Sequence, residues 1–156
     1  MSQFGGLFSA AFVQNLVDQQ LRPGAVIYFN CPFTTPEKDK FLVVATCEPD
    51  FLVLVINSEI NNFISNNPEL LACQVDVPQI DHGFLNHDSI VDCVQTHLAF
   101  DLTEVKDQIV ANYAHHFRGR LQDYCIRNVI EAIENSPTME PRMIRVIKQA
   151  LESQLP

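Results

Sequence analysis

The clearest feature of the sequence is a pair of nearly continuous apolar runs, KFLVVAT at 40–46 and FLVLVIN at 51–57. Short apolar runs of this kind are typical of strands that are buried on both faces of a sheet. The intervening CEPD supplies turn residues in Pro49 and Asp50, so the pattern predicts a β-hairpin. Three more runs predict strands: AVIYF at 25–29, LLACQVDV at 70–77 and SIVDCVQTH at 89–97.

Helical periodicity comes before and between these runs. Residues 7–19 predict an amphipathic helix, which Pro23 and Gly24 separate from the first strand. The stretch SEINNFISNNPEL predicts a single helical turn that Ser58 caps and Pro68 stops. The apolar face of the first helix would consist of Leu7, Phe8, Ala11, Phe12, Leu16 and Val17.

After residue 100 the pattern changes from strands to helices. Asp101 is a predicted N-cap, followed by apolar residues at helical spacing through Val110 and again from Leu121 to Ile133, with Gly119 as a weak interruption. The stretch SPTMEPRMIRVIKQALES predicts a last helix, with Thr138 as its cap and Pro141 in its first turn.

This order of elements predicts an α+β fold: a helix, about five strands, then two or three helices. A chain of 156 residues with 47% hydrophobic content can bury one core without metal or disulfide cross-links. We therefore expect a single domain over 1–156, with an N-terminal helix at 1–20, a small antiparallel β-barrel at 21–100 and C-terminal helices at 101–156.

The cysteines indicate a reducing compartment. There are five, an odd number without a CxxC pair, and most lie inside apolar runs. We interpret them as reduced core thiols of a cytoplasmic protein. The first twenty residues have no basic start and are interrupted by polar side chains, so we expect neither an export signal nor a membrane anchor.

The charge is strongly negative and unevenly distributed. The formal net charge is −9, and residues 1–100 hold three basic side chains against eleven acidic ones. Proteins that bind nucleic acids gain most of their affinity from Lys and Arg at phosphates, so this front portion weighs against a nucleic-acid partner.

The segments LRPGAVIYF, DKFLVVAT, FLVLVINSE and DSIVDCVQ, within about 21–113, resemble the MazF/PemK-like family of toxin endoribonucleases. That resemblance implies an SH3-like barrel with a C-terminal helix, a homodimer, and a place in a toxin-antitoxin-like or defence-related set. Active relatives carry an arginine next to a proline of the second strand, a Ser or Thr at the end of the third and a further basic residue after a later strand.

At those positions this chain has Lys40, Ser58 beside Asn57, and His97, and it has no arginine between Arg22 and Arg118. RNA cleavage needs a base, an acid and a cation over the phosphate. We therefore expect a non-catalytic binding or regulatory protein with a protein partner. The alternative is an active endoribonuclease that uses Lys40, Ser58 and His97.

Residues 80–100 concentrate three histidines, three acids and a cysteine. A zinc site would need three or four of these side chains on one side of the chain, whereas Asp92 and Cys93 alternate across a strand. We expect turns and a strand, with no metal and no cofactor. We expect Asp92 to lie on a solvated strand face, and the alternative is a buried carboxylate with a partner. Cys93 and His97 would lie roughly 13 Å apart along a strand, too far for a nucleophile and its base.

Two further groups have structural and functional interpretations. The cluster of His115, His116, Arg118 and Arg120 either complements a helix C-terminus or contacts an anion. Four phenylalanines are expected in the core rather than in a base-stacking surface: Phe29, Phe33, Phe41 and Phe51. The apolar side chains near the chain start, including Phe4, predict that the N-terminal helix is buried in a homodimer.

Overall fold

The computed structural model describes residues 9–156. Within this range six strands are present: β1 Ala25–Cys31, β2 Lys38–Thr46, β3 Leu52–Asn57, β4 Gln74–Val77, β5 Ser89–His97 and β6 Phe117–Arg120. The α-helices are α1 Ala10–Gln20, α2 Asn62–Ser65, α3 Pro68–Leu71, α4 Leu102–Ala111, α5 Tyr113–His116, α6 Asp123–Glu134 and α7 Pro141–Glu152, and a 3-10 turn covers Gln79–Asp81.

The strands form one antiparallel sheet in the order β4-β5-β3-β2-β1-β6. The sheet curls into a half-barrel. Register shifts interrupt the pairing of β1 with β6, of β2 with β3 and of β3 with β5. Irregularities of this type bend and twist a strand, which accounts for the curl. The predicted α+β class and the β2–β3 hairpin are confirmed.

Both faces of the sheet are covered. On one face, Val43 and Leu54 join a core with side chains of α6 and α7. On the other, Leu42 and Val53 join a core with side chains of α1 and α4. Because successive strand residues point to opposite faces, a strand covered on both sides is apolar throughout, as β2 and β3 are.

The sixth strand differs from the sequence-based expectation. β6 lies inside the segment 101–156, which we expect to be helical, and it pairs with the start of β1. Gly119 has φ +156°, and a Cβ there would lie 2.8 Å from the ring of Phe84. A glycine is therefore needed for the close approach of this edge to the loop before β5.

The stretch SEINNFISNNPEL contains two helical turns rather than one. The side chain of Asn61 caps α2 and that of Asn67 caps α3, so the predicted capping role of Ser58 is wrong. Pro68 begins the second turn instead of ending the first, because a proline at the first helical position loses no hydrogen bond. The predicted strand at 70–77 therefore starts only at Gln74.

The predicted starts of the C-terminal helices are partly correct. Asp101 caps α4 by accepting from the Glu104 N–H at 3.1 Å, and Pro141 begins α7, both as predicted. Thr138 does not cap α7. Its hydroxyl donates to the Val94 carbonyl at 3.2 Å, and Glu140 occupies the cap position.

The N-terminal helix begins at Ala10, with Ser9 as its cap. Its buried side chains are Val13 and Val17, whereas Phe12 is 48% exposed, so the predicted apolar face is only partly correct. Phe4, Leu7 and Phe8 lie outside the described residues. No helix in the described range is both long and apolar enough to cross a membrane.

Candidate functional site

Lys40 and Asn57 meet across the β2–β3 hairpin. Leu42 pairs with Val55, so two residues further along the antiparallel register Lys40 lies opposite Asn57 on the same face. The ammonium group of Lys40 donates a hydrogen bond to the Asn57 side-chain carbonyl. Ser58 follows at the end of the strand and is exposed. The structure therefore brings together two of the three alternative catalytic positions.

The charge of Lys40 is affected by its surroundings. Burial lowers the pKa of Lys40, and the nearby positive charge of Lys38 lowers it further, while Asp92 acts in the opposite direction. Removing a cation from water disfavours its charged form, so Lys40 loses its proton more readily than an exposed lysine.

A cavity of about 220 Å³ opens at this end of the sheet. We call it the β2 cavity. Its polar lining includes Lys38, Lys40, Asn57, Ser58 and His87. Two of the three basic side chains of residues 1–100 therefore lie at one site, which the overall charge of the chain does not suggest.

Arg118 extends this cationic region from β6. Its guanidinium carbon lies 4.6 Å from the ring centroid of Tyr28 and 5.5 Å from that of Phe41, both of which line the β2 cavity. These are cation–π distances. The sequence places Arg118 in a basic cluster but does not indicate this contact, because it does not predict β6.

His97, the third alternative catalytic residue, lies elsewhere. It pairs with Val53, four residues along β3 from Asn57, which corresponds to roughly 13 Å. Its ring stacks on Phe33 at 4.1 Å with an interplanar angle of 6°. Burial lowers the pKa of His97, although Asp92 opposes this shift. Lys40, Ser58 and His97 therefore do not converge on one reacting group.

The histidines of residues 80–100 are held separately. His82 is buried, and its two ring nitrogens contact the Pro78 carbonyl at 2.8 Å and the Gln122 N–H at 3.1 Å. His87 is exposed and contacts the Asp88 carbonyl at 2.9 Å. Across residues 9–156, no group of three or more His, Cys, Asp or Glu side chains is placed to hold a metal ion.

Asp92 has two partners. Its carboxylate accepts from the Gln74 side chain and from the Val94 backbone N–H, each at 3.0 Å. Cys93 is fully buried in the core, where burial raises its pKa well above the ordinary value. All five cysteines are free, as expected from their spacing.

The cluster at 115–120 has mainly structural contacts. His116 donates from Nδ1 to the Tyr28 carbonyl at 2.9 Å and stacks on Phe29 at 4.3 Å. Burial is the main reason that the pKa of His116 is lowered. The predicted core positions are confirmed for Phe29 and Phe51, whereas Phe33 and Phe41 are only partly buried.

No model of a known protein family matches this chain, and no curated protein matches it.

Proposed function

We propose that this protein is a non-catalytic binding or regulatory protein built on a MazF/PemK-like, SH3-like barrel. The support for this barrel is the succession of the Pro23-Gly24 turn, β1, the loop at 32–37, the β2–β3 hairpin, β4 and β5, in a sheet that curls into a half-barrel. We further propose a protein partner within a toxin-antitoxin-like or defence-related set. The five free cysteines support a cytoplasmic location.

The main support for a non-catalytic role is the separation of His97 from the β2 cavity. General acid–base catalysis requires the base within hydrogen-bond reach of the proton that it removes. His97 lies roughly 13 Å along the sheet from Asn57 and is stacked on Phe33. The ammonium group of Lys40, in turn, donates a hydrogen bond to the Asn57 side chain.

An active endoribonuclease is the second candidate, and a different observation favours it. Lys38 and Lys40 line the β2 cavity together with Asp39, Ser58 and His87. Arg118 lies over the rings of Tyr28 and Phe41 in the wall of that cavity. Cations at a phosphate, with a histidine nearby, are the groups that cleavage through a ribose hydroxyl would use. In this alternative His87 would have to replace His97 as the proton-transfer group.

Expression in cells, together with a cleavage assay of the purified protein on single-stranded RNA, tests the proposal. We expect normal growth and intact RNA. Growth arrest with RNA cleavage that Lys40→Ala abolishes would overturn the non-catalytic proposal. Lys148→Ala is the matched control, because Lys148 lies on α7, pairs with Glu134 and Glu152, and does not line the β2 cavity. A pull-down from the native host would then identify the partner.

A further inference from the structure

The outer edge of β4 carries backbone groups that the sheet does not use. The Cys93 N–H donates to the Cys73 carbonyl at 2.9 Å, and β4 continues from there along β5. In an antiparallel pair, alternate residues bond to the neighbour and the others point away. The backbone groups of Gln74 and Asp76 therefore point away from β5.

One of these groups already has a weak partner. The Asp76 carbonyl accepts from the Cys125 thiol at 3.6 Å. This leaves the N–H and C=O of Gln74 and the N–H of Asp76 directed outward. Within the described chain β4 pairs only with β5 and ends the strand order, so these groups are available to an added strand.

A groove of about 270 Å³ runs between this edge and α6. On the helix side it is lined by Asn128, Glu131 and Asn135, which lie three and four residues apart and so share one face. We call this the β4 groove. It has a backbone edge on one side and polar side chains on the other.

Exposed apolar side chains lie close in sequence to both ends of β4. Leu71 precedes β4 by three residues and is 40% exposed, whereas Ile80 follows it by three residues and is 87% exposed. Tyr124, on the first turn of α6, is also exposed and bonds to Asp81 beside Ile80. Apolar positions at both ends of a strand edge fit a segment that lies along it.

The negative charge of the β4 groove favours a partner segment with basic side chains. Asp76 and Glu131 are its charged lining residues, and no Lys or Arg from residues 9–156 lines it. A second copy of this chain would bring the same acids and a net charge of −9 to the contact. Like charges at an interface are unfavourable, so a basic partner fits better.

We propose that the β4 groove binds an extended, basic segment of a protein partner by β-strand addition. The backbone of the segment pairs with the N–H and C=O of Gln74 and with the N–H of Asp76. Successive side chains of a strand point to opposite faces, and Val75 and Val77 face α6. Basic side chains on one face of the segment therefore lie near Glu131, and those on the other face lie near Asp76. This proposal rests on the proposed binding function and names a partner class for it. It uses a different surface from the β2 cavity, so peptide binding and RNA cleavage give separate readouts.

The probe is a fluorescein-labelled octapeptide of the repeat Lys-Lys-Val-Val, which places Lys on both faces of a strand, measured by fluorescence anisotropy with the full chain. We expect saturable binding that weakens with salt. The matched Glu/Val octapeptide should bind at least about tenfold more weakly, because its charges face Asp76 and Glu131. A Lys/Val peptide N-methylated at alternate residues should lose at least about tenfold as well, since methylation removes its pairing N–H groups.

Protein variants test the same contact from the other side. The double variant Asp76→Lys/Glu131→Lys should reverse the preference between the two peptides. Asp76→Pro removes only an outward N–H, and Asp76→Asn keeps that N–H as the matched control. If Asp76→Pro fails to fold, the N-methylated peptide still measures the backbone contribution.

Three results would overturn the proposal. These are equal binding of the Lys/Val and Glu/Val peptides, undiminished binding of the N-methylated peptide, and no saturable binding of the Lys/Val peptide. A homodimer that Asp76→Lys/Glu131→Lys dissociates would overturn it too, because a second copy would then occupy the groove.

Discussion

The Nε2 atom of His82 accepts a hydrogen bond from the backbone N–H of Gln122 at 3.1 Å, across forty residues of sequence. The Nδ1 atom of the same ring lies 2.8 Å from the Pro78 carbonyl. With the proton on Nδ1, the ring donates to Pro78 and accepts from Gln122. Gln122 precedes α6 without a side-chain cap, so His82 supplies a partner for the start of that helix.

His82→Ala should therefore destabilise the fold by about 1–3 kcal/mol, because it replaces a buried ring by a cavity and removes the hydrogen-bond partner of the Gln122 N–H. The Pro78 carbonyl keeps a hydrogen bond from the Asp81 N–H at 3.2 Å. Urea unfolding monitored by circular dichroism measures the free energy of unfolding. The control is His87→Ala, which removes an exposed ring and should cost at most about 0.5 kcal/mol. Equal losses for the two variants would contradict this role of His82.

The same contacts lead to a prediction about metal. Both ring nitrogens of His82 contact backbone groups, so neither is available to zinc without breaking a hydrogen bond. Elemental analysis of protein purified without a histidine tag should find no stoichiometric zinc. About one zinc per chain, lost in the His82→Ala/His87→Ala double variant, would show that the prediction is wrong.

Gly24, like Gly119, is a glycine at which substitution should be costly. Its φ is +92°, and an added Cβ would lie 2.9 Å from the end of the Ile126 side chain. Gly24→Ala should lower the free energy of unfolding by about 1–3 kcal/mol, mainly through backbone strain. Gly83→Ala is the control, because no heavy atom lies within 4 Å of its added Cβ. The prediction fails if the two variants have the same thermal midpoint.

How far the sequence predicts this fold depends on how local the signal is. The β2–β3 hairpin is predictable because both apolar runs and their turn lie within 40–57. The strand β6 is not, because four residues at 117–120 become a strand only by pairing with β1, about ninety residues earlier. The contact of Arg118 with Tyr28 is not predictable from the sequence for the same reason, because it too depends on the pairing of β6 with β1.

The candidate site divides in the same way. Lys40 and Ser58 are candidates through the resemblance alone, and the register of one hairpin brings Lys40 to Asn57, the residue before Ser58. His97 is the third alternative catalytic residue, but its position depends on the pairing of β5 with β3 and on its stacking against Phe33. Spacing along the chain does not contain that information.

His97 should make the fold sensitive to acid. Burial lowers its pKa, so the unfolded chain binds a proton at this residue more readily than the folded chain. The contribution of neutral His97 to the free energy of unfolding is fully present above its unfolded-state pKa of about 6.5. It is lost as the pH falls through the lower folded-state pKa. His97→Phe can keep a ring against Phe33 without titrating. It should lose less stability between pH 7 and pH 5 than the parent chain in urea unfolding, and an equal or larger loss would contradict the prediction.

Self-association is the remaining prediction, and the structure changes how it should be tested. Deleting residues 1–18 would remove Val13 and Val17 from the core, so that deletion should unfold the chain rather than only separate a dimer. Phe12 is a better position, because it is on the same helix but 48% exposed.

We expect light scattering at micromolar concentration to give twice the chain mass of 17.7 kDa. Phe12→Asp should shift the mass toward the monomer, because it places a charge in the apolar centre of the predicted interface. Leu98→Asp is the control, since Leu98 is 65% exposed but is not on α1. A monomeric parent chain would refute the dimer. A dimer that Leu98→Asp disrupts and Phe12→Asp does not would instead refute the role of α1.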